Sequence, residues 1–122
     1  MDYNFDNNKP IYIQLVEELK MEIISEKLPP GTRLLSVREL ALKYKVNPNT
    51  MQKALAQLEQ LNLIYTERTN GKYVTADQQL IQTYQKEYAT NLAKNYFQSM
   101  ELIGFSKEEA MEYLQEFGGK EQ

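Results

Sequence analysis

The stretch "SVRELALKYKVNPNTMQKALAQLEQL", Ser36 to Leu61, holds two helix starts with almost nothing between them. Ser36 is a good N-cap, and Glu39 follows three residues later, completing a capping box. Val37, Leu40, Ala41 and Tyr44 then supply one apolar side. After "KVN" a further helix starts: Asn47 is its natural cap, and Pro48 sits at the first helical position, where a missing N–H costs nothing. Met51, Ala54, Leu55, Leu58 and Leu61 form its buried face. The opposite arc shows Asn49, Gln52, Lys53, Ala56, Gln57 and Gln60, with no acid before Glu59. Two short helices joined by a tight turn are therefore predicted, the second opening on small polar tips.

The flanking sequence completes the pattern. Upstream, Pro10 can open a helix, and Tyr12, Leu15, Leu19 and Ile23 recur at helical steps until the "LPPG" turn at Leu28–Gly31. Downstream, "LIYTERTNGKYVT", Leu63 to Thr75, has two β-rich runs around Asn70-Gly71, a strong hairpin signal with its tip near Thr69 to Lys72. Three helices, a tight turn and a hairpin in this order describe a winged helix-turn-helix. Beyond it, Leu80, Ile81, Tyr84, Tyr88, Leu92 and Tyr96 repeat at helical spacing, and Gly104 is expected to end that helix. Ser106 and Glu109 form another capping box, and Met111, Tyr113, Leu114 and Phe117 furnish a last helix expected to stop at Gly118-Gly119. The predicted fold is mainly α with a small β-hairpin: a winged helix-turn-helix head over residues 1–75 and a two-helix dimerisation segment over residues 76–122.

Composition narrows the function. The chain has 122 residues, 42% hydrophobic, with no cysteine and no histidine. Disulfides, thiolate metal sites and His- or Cys-dependent nucleophilic catalysis are excluded. The carboxylates lie scattered on predicted helices, so neither catalytic residues nor a metal or cofactor is expected. No apolar run approaches the ~20 residues of a membrane helix, and the polar, acidic start does not resemble a secretory signal. Net charge is −3, but it is unevenly spread. From Arg33 to Lys72 there are seven Lys/Arg and three Asp/Glu; from Ala76 to the C-terminus there are four and eight. A basic centre beside an acidic tail suits a polyanion-binding head on a separate support.

A recognition helix meets base edges in the major groove with its N-terminal residues. Asn49 and Thr50 suit that position, with Gln52 and Lys53 one turn on. Asn and Gln pair with adenine, and Lys prefers guanine or phosphate. Ser36 and Asn47 stand at helix N-termini, which favour phosphate, although capping alone accounts for Asn47. Arg33, Lys43, Lys45 and Lys53 are phosphate candidates, and Arg68 is a phosphate or minor-groove candidate. The plainer readings are solvated lysines, a turn requirement at Gly71, and an Arg38 ion pair with a nearby glutamate. The tyrosine stripe of the tail reads better as a packing face than as a ligand cage. A winged helix used as a protein–protein adaptor is the alternative; it calls for apolar anchors on the exposed arc.

The segments "PIYIQLVEELKMEI", "PPGTRLLSVRELALKYKVNPNTMQKALAQLEQLNLIYTE" and "NGKYV" together resemble the DNA-binding domain of GntR-type bacterial transcription regulators. The resemblance covers about residues 9 to 75, and the short tail resembles the YtrA-type subfamily. It implies that Arg38 reaches DNA from the second helix, that Asn49, Thr50 and Gln52 are recognition-helix contacts, and that Gly71 is a wing glycine. Many relatives carry Arg where Gln52 stands. The usual "LPS" is here Leu34-Leu35-Ser36, and the wing, usually like "RRGKGTFV", lacks one basic residue and the first glycine. The expected protein is a cytoplasmic, dimeric repressor on a palindromic double-stranded DNA operator. Ile81, Tyr84, Tyr88, Leu92, Tyr96, Leu114 and Phe117 are expected in the dimer interface. The short tail leaves little room for a small-molecule effector, and no membrane partner is expected.

Overall fold

A computed structural model describes residues 4–68 and 70–120. Five helices and one hairpin follow in the order α1 (Ile11–Ile24), α2 (Val37–Tyr44), α3 (Pro48–Gln60), β1 (Ile64–Glu67), β2 (Gly71–Val74), α4 (Gln78–Leu102) and α5 (Lys107–Lys120). The chain divides into two compact units, one reaching to Tyr84 and one from Gln85 onward.

In the first unit the apolar stripes converge. Leu15, Leu19 and Ile23 of α1, Leu40, Ala41 and Tyr44 of α2, and Met51, Ala54, Leu55 and Leu58 of α3 form one core with Leu63, Ile64 and Val74. Each fully buried Leu or Ile there stabilises the fold by roughly 1.5–3 kcal/mol. The Tyr44 hydroxyl donates to Glu22 Oε2 at 3.0 Å, tying α2 to α1. The α2–α3 turn is tight because Lys45 adopts the left-handed region (φ +57°) as the C-cap of α2, and the Val46 N–H then returns to the Ala41 carbonyl.

The hairpin is antiparallel, pairing Ile64 with Val74, Tyr65 with Tyr73, Thr66 with Lys72 and Glu67 with Gly71. Gly71 (φ +94°) is therefore the first residue of β2, and residues 68–70 join the strands. Asn70-Gly71 does not form the two-residue turn that its sequence suggests; the pairing register excludes it. Thr69, named for the tip, lies outside the described residues. A third strand-like segment was not legible in advance. The N–H groups of Gly31 and Leu34 donate to the Val74 and Lys72 carbonyls, and the Val74 N–H donates to the Thr32 carbonyl. Residues 31–34 thus flank β2 on the side away from β1.

The first unit also takes in the start of α4. Ile81 is buried in the head core, and half-buried Tyr84 packs on it and donates from its hydroxyl to the Leu61 carbonyl at 3.2 Å. The compact head therefore extends past Thr75, the boundary expected from sequence. Of the residues expected at a dimer interface, Ile81 is buried in the head core of its own chain, and Tyr84 packs partly on that core.

In the second unit α4 ends at Leu102, and Gly104 (φ +99°) turns the chain as expected. The Ser106–Glu109 capping box is present: Ser106 N–H donates to Glu109 Oε1 and Glu109 N–H to Ser106 Oγ. Tyr96 Oη donates to the Ala110 carbonyl at 2.7 Å, joining α4 to α5, and Ala110 is buried. α5 runs on through Gly118 and Gly119 to Lys120, against the expected stop. Neither glycine takes a positive φ. Helical glycine costs only about 1 kcal/mol, so the glycine pair alone does not end the helix.

Candidate nucleic-acid interface

The interface is assembled from the N-termini of α2 and α3 and from the hairpin. Burial of Met51, Ala54, Leu55 and Leu58 turns the opposite arc of α3 outward: Asn49, Gln52, Lys53, Ala56, Gln57 and Gln60 are exposed, and Thr50 is half-buried. Asn47 Oδ1 accepts the Asn49 N–H at 2.7 Å, so the cap is filled by Asn47 and the Asn49 side chain is not needed for it. No apolar anchor stands on this arc.

On α2, Ser36 Oγ accepts the Glu39 N–H at 3.1 Å, and Ser36 N–H donates to Glu39 Oε1 at 2.9 Å. These bonds, helped by the nearby Arg33 guanidinium, hold the Glu39 carboxyl below its ordinary range. Arg38, two residues after Ser36, is exposed, and no carboxylate among the described residues is paired with it. The ion pair that would have explained Arg38 without DNA is absent from the described part of the fold. Arg33 is exposed beside the hairpin; its guanidinium lies close enough to Gly71 that a Cβ there would stand 3.5 Å from Nε and Nη2. Arg33, Ser36, Glu39, Thr66, Gly71 and Lys72 share a cleft of about 590 Å³ between the N-terminus of α2 and the hairpin strands. Arg68 is exposed at the end of β1.

Two lysines behave differently from their appearance in sequence. Lys53 Nζ lies 4.0 Å from the centre of the Tyr12 ring of α1, a cation–π contact that draws the ammonium toward α1. Lys72 Nζ is bonded to Glu59 Oε1 at 2.8 Å and to Thr66 Oγ1 at 2.9 Å. Helical periodicity carries no sign of either contact. The one hint was Glu59, the lone acid of α3.

In the tail, Leu92, Leu114 and Phe117 are 69%, 45% and 49% exposed, alongside Leu102, Ile103 and Met111. Tyr88 is half-buried, and Tyr96 is engaged by Ala110. Among the described residues no helix is long and apolar enough to cross a membrane.

The sequence pattern of bacterial regulatory proteins of the gntR family matches residues 11–74. The HTH-type transcriptional regulator YhcF of Bacillus subtilis is 31% identical over 117 residues, which is 96% of this chain and 97% of that protein. The HTH-type transcriptional repressor YtrA of the same organism is 39% identical over 69 residues, 57% of this chain and 53% of that one. Among solved structures, a GntR family transcriptional regulator from Listeria monocytogenes superposes with a TM-score of 0.81 at 41% identity, covering 92% of this chain and 98% of the other. The AraR DNA-binding domain in complex with operator ORR3 matches with a TM-score of 0.53 at 27% identity, over 62% of this chain and 88% of that domain. Family pattern, full-length relative and winged helix-turn-helix geometry agree: the chain belongs to the GntR family of bacterial regulatory proteins and is a DNA-binding transcription regulator.

Proposed function

We propose that the chain is a cytoplasmic homodimeric repressor that binds a palindromic operator. The first turns of α3 enter the major groove, Asn49, Thr50 and Gln52 meet base edges, and Arg38 reaches the DNA from α2. Arg33 and the N-termini of α2 and α3, at Ser36 and Asn47, seat phosphates. Arg68 and the wing turn at Gly71 approach the adjacent minor groove. The observation that carries this reading is the outward set of amide tips on α3, with the cap already filled by Asn47 and Arg38 left without an ion pair. A polar arc without apolar anchors weighs against a protein adaptor.

The exposed apolar side chains of the tail, Leu92, Leu102, Ile103, Leu114 and Phe117, support pairing with a second copy, since a free monomer gains nothing by showing them to water. Two heads so paired sit on half-sites about one helical turn apart. The repressor YtrA among the relatives supports the YtrA-type branch and repression. Selection of bound fragments from a genomic library is expected to return inverted repeats. On such an operator, Arg38→Ala and Asn49→Ala each weaken binding roughly tenfold or more; unchanged affinity in both removes the mechanism.

A further inference from the structure

Where the end of α3 meets the wing, three polar side chains close a triangle. Thr66 and Lys72 are directly opposed in the hairpin register, so they share the face that buries Ile64 and Val74 two pairs further on. Thr66 Oγ1 donates to Glu59 Oε1 at 2.8 Å; Lys72 Nζ donates to the same oxygen at 2.8 Å and to Thr66 Oγ1 at 2.9 Å. The Lys72 and Glu59 side chains are 20% and 39% exposed, so the triangle is partly shielded from water. The two bonds hold the Glu59 carboxyl below its ordinary range, Lys72 first and Thr66 second.

An acid on the outer side of a DNA-reading helix repels phosphate, which makes Glu59 costly unless it does something else. The wing supplies the reason. Its strands have four residues each, too short to hold a shape alone. Of their eight residues only Ile64 and Val74, at the base, are buried. The Glu67–Gly71 pair and Arg68 lie beyond the Thr66–Lys72 pair. The triangle is the polar bond between α3 and the hairpin nearest that free end.

We propose that Glu59, Thr66 and Lys72 act as a clasp that fixes the wing against the recognition helix, making Glu59 and Lys72 positioning residues for the wing's contact with DNA. The inference rests on the DNA-binding reading above. With the clasp closed, the wing is ordered before DNA arrives; without it, ordering is paid for on binding. Lys72 thus serves the operator through Glu59 rather than by touching a phosphate.

The test uses the full-length protein and its selected operator, with Glu59→Ala, Lys72→Met and the exchange Glu59→Lys/Lys72→Glu. Both single variants are expected to bind roughly three- to tenfold more weakly. They lose hydroxyl-radical protection at the wing's minor groove while keeping major-groove protection from α3, and the exchange restores both affinity and footprint. A merely structural role would lower the melting temperature without separating the two footprints. The clasp is overturned if Glu59→Ala tightens binding, if the exchange stays as weak as Lys72→Met, or if the wing footprint survives in the single variants. Asn49→Ala, run alongside, separates the failures. If it alone loses binding, the clasp falls and the reading stands; if none of the variants loses binding, both fall.

Discussion

Asn47 and Asn49 are two residues apart and chemically identical, yet the fold gives them different work. The Asn47 amide oxygen closes the first turn of α3 by accepting the Asn49 N–H, while the Asn49 side chain is left to solvent. The two substitutions to alanine should separate in unfolding by urea. Asn47→Ala costs about 1 kcal/mol of stability, and Asn49→Ala stays within about 0.5 kcal/mol while losing the operator. Equal stability losses would mean that Asn49 is structural after all. At this scale the caps were readable, because capping is a local rule spanning three residues. The fates of Lys53 and Lys72 were not, because each ammonium finds its partner on a different element: the Tyr12 ring of α1 and the Glu59 carboxylate of α3.

The helices followed their periodicity, and the departures have physical reasons. Residues 31–34 carry no alternating pattern, and their bonds to β2 arise only once the hairpin has docked. The Asn70-Gly71 signal identified a hairpin but not its register, which is set by pairing Ile64 with Val74 on the core side. The α2 capping box leads to a pH prediction. Glu39 has a carboxyl pKa lowered in the folded state from the ordinary 4.5, chiefly by its bonds to Ser36. A depressed acid contributes stability above its unfolded pKa and loses it as pH falls through the folded value. Glu39→Ala should therefore melt lower than the parent at pH 7, by roughly a few degrees. The difference should close as both are acidified below about pH 4.5. A constant gap down to the acid limit would show that the carboxylate charge plays no part in the cap.

For the whole molecule, the head was legible because its core is built from local stripes, whereas the division from the tail was not. Thr75 ends the last strand-like run, but Ile81 and Tyr84 continue the head's packing into α4. The remaining tail, with Leu92, Leu114 and Phe117 open, presents the face proposed for a second copy. Leu114→Asp together with Phe117→Asp should give a monomer by sedimentation at micromolar concentration. Binding to a full operator should fall by about 100-fold or more, since the second half-site is no longer engaged intramolecularly. A parent protein that already sediments as a monomer rejects the interface.

The Lys53–Tyr12 and Lys72–Glu59 contacts bear on how the regulator behaves as its ionic environment changes. Each phosphate neutralised on duplex DNA releases about 0.9 counterion. At least three of the seven basic side chains between Arg33 and Lys72 are turned toward partners in their own chain, Lys43 over the Tyr44 ring, Lys53 over the Tyr12 ring and Lys72 on Glu59. Operator occupancy should accordingly decline less steeply with added salt than a count of positive charges implies, leaving the amide contacts a larger share of the affinity in a cell whose osmolarity fluctuates.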